Sequence, residues 1–500
     1  MKTQRSRLII VSNRLPIVLT QGENGQWGIE PGSGGLVTAL VPILRNRGGV
    51  WIGWSGMVEE ENVDLEELLA DATKKSGYTL RPVSLTAEEK SKFYHGFSNE
   101  IIWPLFHDLQ SRCNFDPTYW LVYQSVNHKF ARVIAENIKE NDFIWVHDYH
   151  LMNVAKELRA LGVTSKIGFF LHIPFPPLDI FIKLPWRFQV LHALLEYDTI
   201  GFQTLRDRHN FVQCLRSLIR DMTLYGKGQV LTGRIKNREV RIGSFPISID
   251  YRAFAKQAAS QEVCERARCL REALLNCHII LGVDRLDYTK GIPERLKAFR
   301  NTLIRFPDLH QKVTLVQIVV PSRVEIPKYY DLKVEIERLV SEINGQFTQP
   351  GWVPIHYIFR SLERTELLAY YRAADIALVT PLKDGMNLVA KEYCACSIYG
   401  DDVLILSEFA GAAVQLQKGA LLVNPYDIEG VAEAIYRAVN MNQAERRSRM
   451  RKLRRSIREQ DIFWWVDSFL QASIAQHLDD FPPLEGYVSL DDYLPQVELE

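Results

Sequence analysis

Short apolar runs that alternate with stretches of helical spacing constrain the fold of this chain more than any other feature. Ten runs stand out along the sequence: RLIIVSN, VWIGW, DFIWVHD and KIGFFLHI, then HIILGV, KVTLVQIVV, PIHYIF, DIALVT, DVLILS and ALLVN. Strands that are buried on both faces read as continuous apolar runs, and the helices between them are the crossovers that parallel strands need. The pattern predicts an α/β fold with two parallel sheets.

A segment of a different kind separates the two sets of runs. Its first part, GRIKNREVRIGSFPISID, predicts a hairpin, and SQEVCERARCLREALL predicts a charged amphipathic helix. A chain of 500 residues with 47% hydrophobic content is large enough for two cores. We expect an N-terminal domain over 1–248, a second domain over 249–458, a helix within 459–485 that packs back on the first domain, and a tail at 486–500.

Charge and composition exclude several classes of function. Because 60 Lys and Arg balance 60 Asp and Glu, no net field favours nucleic acid or an anionic membrane as a partner. The first apolar run is too short for a signal sequence or a membrane span, which predicts a cytoplasmic protein. Seven cysteines form no CxxC pair and are expected to be reduced. The basic run at 445–455 fits the solvated face of an amphipathic helix better than an RNA site, and a homo-oligomer is left open.

Two strand–loop–helix units in the second half hold charged residues where ligands usually collect. In LGVDRLDYTKGIPER, Arg285 and Lys290 follow an apolar strand and precede a helix that begins near Pro293. Ligands of open α/β sheets lie beyond the carboxyl ends of strands, beside helix N-termini that attract anions. The two cations therefore favour a bound anion. The spacing alone fits equally well a surface loop in which they pair with neighbouring acidic residues.

The second unit is DIALVTPLKDGMNLVAKEY, residues 375–393. Asn387 or a neighbour is placed to cap its helix, which would leave the amides around Leu388 and Val389 free for a phosphate. Glu392 lies about one turn further in and could bind two ribose hydroxyls. Glutamate in a first helical turn is also common without any ligand, as a partner of the helix dipole. We expect no metal site, because the HDYH group at 147–150 lacks a third ligand.

Eight segments occur in order between about residue 7 and about residue 480: SNRLP, WIGWSG, FSNEIIWPLFH, IWVHDYHLM, GFFLHIPFP, DRLDYTKGIPER, VTPLKDGMNLVAKEY and LSEFAGAA. Together they closely resemble the trehalose-6-phosphate synthase family, retaining glycosyltransferases that join glucose from UDP-glucose to glucose 6-phosphate. The resemblance implies the GT-B fold, in which two Rossmann-like domains with parallel sheets face one another across a cleft and the last helix returns to the N-terminal domain. It also implies these two substrates, no cofactor, and no need for a metal.

The resemblance assigns residues to the nucleotide-sugar donor. Arg285 and Lys290 match the pair that neutralises charge on the departing diphosphate, and His172 would reach the 6-hydroxyl of the donor glucose. These three are the expected catalytic residues. The donor set comprises Gly34, Gly35, His172, Arg285, Lys290, Leu362, Asp384, Gly385, Met386, Asn387, Leu388, Val389 and Glu392.

A second set of matching positions implies a site for glucose 6-phosphate. It comprises Arg14, Tyr94, Trp103, Asp148 and Arg323. Arg14 and Arg323 suit the phosphate, because a guanidinium can bind two phosphate oxygens at once, while the aromatic rings offer platforms for a sugar. Taken one at a time, these residues would be interpreted as surface arginines and half-buried core aromatics.

The expected reaction gives trehalose 6-phosphate and UDP with retention of configuration. The nearest alternative is a synthase of glucosylglycerol phosphate or another glycoside phosphate that uses ADP-glucose or GDP-glucose. A silent sensor or scaffold is disfavoured by the intact charged residues, and an NAD-dependent oxidoreductase by the lack of GxGxxG after the first strand. No phosphatase domain with a DxD motif is recognised, so a separate phosphatase is expected to act on the product.

Overall fold

The computed structural model describes residues 7–474, apart from 22–26, 33–35, 38–39, 42–43, 46–47, 62–64, 275–276 and 323–325. Contacts divide the chain into two compact units. The first comprises Met1–Gly32, Ile43–Phe245 and Asp467–Glu500, and the second comprises Ser33–Pro42 and Pro246–Val466. No helix in the described part of the chain is long and apolar enough to cross a membrane. The domain boundaries drawn from the sequence stay predictions.

The strands of the first unit are β1 Leu8–Arg14, β2 Ile17–Gln21, β3 Trp27–Pro31, β4 Gly49–Val58, β5 Thr79–Leu85, β6 Phe143–His147, β7 Ile167–Phe170, β8 Thr199–Phe202, β9 Met222–Tyr225, β10 Val230–Ile235 and β11 Arg238–Ser244. β2 and β3 form a separate hairpin, and the other nine make one sheet in the order β5-β4-β1-β6-β7-β8-β11-β10-β9. β10 is antiparallel to both β9 and β11, which confirms the predicted hairpin, and the remaining pairs are parallel. The order reverses between β1 and β6, as it does in doubly wound folds.

The α-helices of the first unit are Leu65–Ser76, Ala87–Glu89, Trp103–Phe106, Pro117–Asn137, Val154–Ala160, Leu178–Phe181, Arg187–Leu194 and Leu205–Leu218. Short 3₁₀ turns cover Glu59–Glu61, Gln110–Arg112 and Tyr149–Leu151. A π-helix covers Lys90–Ile102, a wider helix that the sequence pattern did not predict. Helix starts follow the expected chemistry. For example, the Asp116 carboxylate accepts from the Thr118 amide at 2.8 Å, and Pro117 occupies the first turn.

The described residues of the second unit form six strands, β12 His278–Arg285, β13 Val313–Val320, β14 Ile355–Phe359, β15 Ile376–Val379, β16 Val403–Ser407 and β17 Leu421–Val423. They form one sheet in the order β14-β13-β12-β15-β16-β17, and every neighbouring pair is parallel. This order reverses between β12 and β15. The α/β class with two parallel sheets is confirmed, and all six runs predicted in the second half are strands.

The α-helices of the second unit are Tyr251–Ala258, Gln261–Ala273, Ile292–Arg305, Pro327–Phe347, Arg364–Ala373, Leu388–Cys396, Ala413–Leu416, Ile428–Asn440 and Gln443–Glu459, with 3₁₀ turns at Tyr288–Lys290 and Pro307–Leu309. The basic run lies in Gln443–Glu459, where Met450 and Leu453 are buried, as an amphipathic helix requires. The last helix is Ile462–Ile474. From Asp467 onward it belongs to the first unit, where Phe469 stacks on Trp145 with ring centres 4.4 Å apart.

Candidate active site

The two charged strand–loop–helix units of the second half meet at the centre of the six-stranded sheet. β12 and β15 are neighbours, with Ile280 opposite Ile376, and the strand order reverses between them. Their loops are joined through the backbone, because the Leu382 amide donates to the Thr289 carbonyl at 2.8 Å. A reversal of this kind opens a crevice at the carboxyl ends of the strands, where ligands of such sheets bind.

The loops approach so closely at Gly291 that no side chain fits. Gly291 has a φ of 64°, and a Cβ at this position would collide with the carbonyl oxygen of Thr380. Glycine adopts this left-handed conformation without strain. The approach places Lys290 beside Asp384, with Nζ 2.6 Å from Oδ2, and both side chains are largely buried at 12% and 15% exposure.

Arg285 and Lys290 do not pair with the acidic residues nearest to them in sequence. Lys290 reaches across to the other loop, and Asp284 instead accepts from the buried Arg295. Arg285 is exposed, and within the described ranges no acidic side chain forms an ion pair with it. The site therefore presents one exposed cation and one partly buried cation on the same loop.

The helix Leu388–Cys396 begins beside this pair. Asn387, with a φ of 81°, caps it: the side-chain oxygen accepts from the Ala390 amide at 3.1 Å, and the side-chain nitrogen donates to Asp384 Oδ2 at 3.2 Å. The first amides of a helix, here those of Leu388 and Val389, have no intrahelical acceptor and carry the positive end of the dipole. This arrangement suits an anion such as a phosphate.

The backbone of residues 384–386 is held by the loop that follows β16. The Asp384 amide donates to the Phe409 carbonyl at 3.2 Å, and the Gly411 amide returns a bond to the Asp384 carbonyl at 3.0 Å. The Ala412 amide donates to the Met386 carbonyl at 2.7 Å. The LSEFAGAA segment is therefore a support for this loop, which explains why the two segments occur together in the sequence.

Two ionisable side chains follow the cap on the same helix. The Glu392 carboxylate accepts from the Tyr371 hydroxyl at 2.9 Å, and burial raises the pKa of Glu392 above its ordinary value, although this hydrogen bond opposes the shift. Lys391 is 1% exposed, with Nζ 2.7 Å from the Ile247 carbonyl and 2.6 Å from Gln415 Oε1. Burial lowers the pKa of Lys391 to about 7.

The expected base contact lies at the edge of the same sheet. Leu362 is half-buried in the loop between β14 and the helix Arg364–Ala373. Gly34, Gly35 and Arg323 lie outside the described residues.

The acceptor residues of the first unit gather at its own strand reversal. Arg14 ends β1, and its guanidinium lies 4.7 Å from the centre of the Trp54 ring. Asp148 follows β6 with a φ of 74°, and its carboxylate accepts from the His172 amide at 3.3 Å. Asp148 combines this φ with a ψ of 167°, a conformation that is rare for residues other than glycine and that clusters at functional sites.

A chain of contacting rings connects the two predicted acceptor aromatics. Tyr94 lies in the π-helix and stacks on His150 at 5.9 Å, and Tyr149 contacts both His150 at 3.9 Å and Trp103 at 5.8 Å. Trp103 is only 6% exposed, so it offers a sugar little accessible ring surface. The structure thus brings Arg14, Tyr94, Trp103 and Asp148 to one region of the first unit.

His172 is part of a buried hydrogen-bonded group. Its Nε2 lies 3.1 Å from Nδ1 of His147, and its Nδ1 lies 3.4 Å from the side-chain nitrogen of Gln203. Burial lowers the pKa of His172 to about 3 and that of His147 well below its ordinary 6.5. Both rings are therefore neutral at neutral pH. Because an amide nitrogen only donates, Gln203 assigns the acceptor role to Nδ1 of His172 and the proton to its Nε2.

Sequence reasoning missed three residues of these regions: Gln203, Tyr371 and Arg295. Gln203 and Tyr371 lie far along the chain from their partners. Arg295 is an arginine that helical spacing would place at the surface. Among the residues described, no group of three or more His, Cys, Asp or Glu side chains is arranged to hold a metal ion.

A family model for glycosyltransferase family 20 matches residues 6–474. The chain belongs to glycosyltransferase family 20. This confirms the resemblance that the eight segments indicated. Among curated family 20 proteins, the chain is 43% identical over 472 residues to trehalose-6-phosphate synthase of Mycobacterium avium (strain 104), covering 93% of this chain and 95% of that protein. It is 42% identical over 478 residues to the protein of the same name from Mycolicibacterium smegmatis, with 94% and 93% covered.

Solved structures of family 20 proteins are similar throughout the chain. An α,α-trehalose-phosphate synthase (UDP-forming) from Burkholderia xenovorans, in complex with glucose 6-phosphate, has a TM-score of 0.84 and 37% identity, with 93% of this chain and 99% of that chain covered. A structure from E. coli bound with UDP-2-fluoro glucose has a TM-score of 0.83 and 38% identity, with 93% and 98% covered.

Proposed function

We propose that this chain is an α,α-trehalose-phosphate synthase. It transfers glucose from UDP-glucose to glucose 6-phosphate with retention of configuration and releases trehalose 6-phosphate and UDP. The observation that carries the proposal is the meeting of Lys290, Asp384 and the capped start of Leu388–Cys396 at the reversal of the second sheet. Family membership supports it, because relatives of this name match over 93% of the chain.

The donor diphosphate would lie beside Arg285, Lys290 and the first amides of Leu388–Cys396. Negative charge grows on the leaving oxygen as the bond to glucose breaks, and preorganised cations stabilise that charge more strongly in the transition state than in the ground state. Lys290 is already held by Asp384, so little reorganisation is needed when the donor binds. The two cations together would supply the electrostatic role that a metal ion has in many other glycosyl transfers.

The rest of the donor would be held by hydroxyl and backbone contacts. Glu392, hydrogen-bonded to Tyr371, accepts from the ribose hydroxyls. Residues 384–387 hold the hydroxyls of the donor glucose, since their backbone is fixed by the loop after β16. The neutral His172 is suited to a sugar hydroxyl rather than to a phosphate. The assignments of Leu362 to the base and of Gly34 and Gly35 to the diphosphate remain predictions.

The acceptor would be held by a cation for its phosphate and by rings and a carboxylate for its hexose. Arg14 is exposed and sits over Trp54, which orients its guanidinium. Asp148, at its positive φ, would accept from a hexose hydroxyl. Tyr94 would pack against the sugar ring. Arg323 would add a second phosphate contact.

We further propose that transfer proceeds on one face of the donor sugar. In this route the departing phosphate oxygen takes the proton of the attacking hydroxyl, while Arg285 and Lys290 stabilise the ion-pair-like transition state. A double displacement would instead require a carboxylate nucleophile on the opposite face. None of the proposed site residues is assigned that role.

One assay tests the proposed function. Purified protein is incubated with UDP-, ADP- or GDP-glucose and with glucose 6-phosphate or glycerol 3-phosphate, with and without a chelator, and the product is identified by NMR. We expect UDP-glucose and glucose 6-phosphate to give α,α-linked trehalose 6-phosphate, with turnover unaffected by the chelator. A preference for glycerol 3-phosphate would overturn the acceptor assignment, and complete dependence on a divalent metal would overturn the role given to the two cations.

A further inference from the structure

A buried arginine links the two loops that carry the donor residues. Arg295 is 1% exposed, and its side chain lies inside the unit rather than on the outer face of its helix. Its guanidinium donates to four acceptors: the Asp284 carboxylate, Gln317 Oε1 at 3.1 Å, Thr380 Oγ1 at 3.0 Å and the Lys290 carbonyl at 3.5 Å. Asp284 and Thr380 lie at the carboxyl ends of β12 and β15, Lys290 lies in the turn that follows β12, and Gln317 lies within β13.

Three of these acceptors lie where the two donor loops begin or within them. Asp284 immediately precedes Arg285 at the end of β12, and Thr380 immediately follows the end of β15. The Lys290 carbonyl belongs to the turn that carries the second cation. A guanidinium is planar and rigid, so it fixes its partners relative to one another in a way that a lysine does not. One side chain therefore contacts the starts of both loops.

A purely stabilising role explains this arrangement poorly. Burying an arginine with a carboxylate carries a desolvation penalty, and replacing such a pair by apolar residues is often neutral or stabilising. Burial raises the pKa of Asp284, and the charge of Arg295 opposes that shift. A polar group of this kind at the reversal of a sheet is better explained by the geometry it imposes.

We propose that Arg295 is a positioning residue that sets the distance between the loop of Arg285 and Lys290 and the loop of residues 380–387. The inference rests on the proposed function and deepens it. The backbone bond from Leu382 to Thr289 and the ion pair of Lys290 with Asp384 already join the loops, and Arg295 adds a further, separate connection. Small displacements of groups that act on the reacting bond lower turnover strongly. Loss of the connection should therefore affect the donor step and leave the acceptor site unchanged.

Thr380 offers a matched pair of variants. Thr380→Val removes the hydroxyl that accepts from Nε of Arg295 and keeps the shape of the side chain, while Thr380→Ser keeps the hydroxyl. We expect Thr380→Val to lower kcat roughly tenfold and to weaken UDP binding, measured by calorimetry, with the KM for glucose 6-phosphate within about twofold of wild type. Thr380→Ser should restore both donor properties to within about threefold. Arg295→Lys, which keeps the charge but loses the planar fork, should resemble Thr380→Val.

The outcomes separate this inference from the proposed function. If wild-type protein makes no trehalose 6-phosphate, the proposed function fails, but the UDP affinities of the Thr380 pair still report on the loops. Equal kcat and equal UDP affinity in Thr380→Val and Thr380→Ser would overturn the positioning role. So would a parallel loss of donor and acceptor binding with a lowered Tm, because that result indicates general destabilisation. If Arg295→Lys does not fold, the Thr380 pair decides.

Discussion

The two units share one order of central strands but equip the reversal of that order differently. In the second unit the reversal lies between β12 and β15 and holds Arg285, Lys290 and the start of a helix. In the first unit it lies between β1 and β6 and holds Arg14, Asp148 and stacked rings. The fold supplies the location, and the side chains after each strand supply the chemistry.

The two regions differ more clearly in their charge than in their residue types. Lys290 and Asp384 form a charged pair 2.6 Å apart, and the exposed Arg285 and the first amides of Leu388–Cys396 add positive charge beside it. His147 and His172 lie 3.1 Å apart, and burial lowers the pKa of both, so this part of the first region is polar but neutral. A region for a diphosphate and a region for sugar hydroxyls would differ in this way.

The largest expected effect is on the charged region. Lys290→Ala or Arg285→Ala should lower kcat by roughly a hundredfold or more, because each removes one preorganised contact to the developing anion. Steady-state kinetics with UDP-glucose and glucose 6-phosphate measures this. Lys297→Ala is the control, since Lys297 is exposed and pairs with Glu335 at the surface. Near-normal turnover in both variants would remove the distinction between the two regions.

The two neutral histidines of the first unit should make the stability of the protein sensitive to acid. The pKa values of His147 and His172 are lowered from 6.5 in the folded protein, to about 3 for His172, so below about pH 6.5 the unfolded chain binds protons that the folded chain does not. Stability should fall as the pH falls, by up to about 1.4 kcal/mol per pH unit for each histidine. Urea unfolding gives the free energy of unfolding at each pH. Between about pH 6 and pH 5, this free energy should fall clearly less steeply with falling pH in the double variant His147→Gln, His172→Gln than in the wild type. An unchanged slope would mean that the pair is not held neutral.

Arg14 tests whether the first region binds the acceptor. Arg14→Ala should raise the KM for glucose 6-phosphate roughly tenfold, as expected for loss of one charged contact to a phosphate, and leave binding of UDP nearly unchanged. Arg81→Ala provides a control on the same sheet, because Arg81 bonds only to Asn137 among the residues that the structure describes. An equal effect of Arg14→Ala on UDP binding would contradict the separation of the two regions.

The alkaline range tests Lys391, a buried amine of the second region. Burial lowers its pKa from 10.5 to about 7, so between about pH 7 and pH 10 the unfolded chain binds a proton that the folded chain lacks. Wild-type stability should therefore rise with pH across this window, by at most about 1.4 kcal/mol per pH unit from this group. Lys391→Met should flatten that rise, and Lys297→Met should not. The pH dependence of stability below about pH 6.5 would then come from the first unit, and that between about pH 7 and pH 10 from the second.

Local patterns carried most of the fold prediction. The strands of the second unit are continuous apolar runs, and Asn387 caps its helix as predicted. β5 was missed because its sequence, TLRPVSL, contains a proline and an arginine, and β8 because its apolar run is only IGF with polar residues on both sides. The π-helix Lys90–Ile102 could not be predicted, since its hydrogen-bond spacing leaves no signature in residue type.

The sequence predicted the parts of the site that neighbouring residues form. It did not predict the contacts between residues that are distant in the sequence. The loops at 285–290 and 384–392 were found because charges follow apolar strands. Arg295 was not, because its burial depends on Asp284 and Thr380, which are 11 and 85 positions away. The pairing of Lys290 with Asp384 spans 94 positions. Local spacing left open a neighbouring acidic partner for Lys290, whereas the strand order provides one from the other loop.

The close approach at Gly291 also limits how this region can vary. A side chain there would meet the Thr380 carbonyl, and its φ of 64° strains any residue with a Cβ. In a library of variants screened for growth or activity, position 291 should accept glycine alone, although it touches no substrate in the proposed site. Substitutions of Arg285, which is exposed, should be rejected only by a screen that requires activity. Mutational tolerance would thus separate a constraint imposed by the backbone from one imposed by the chemistry.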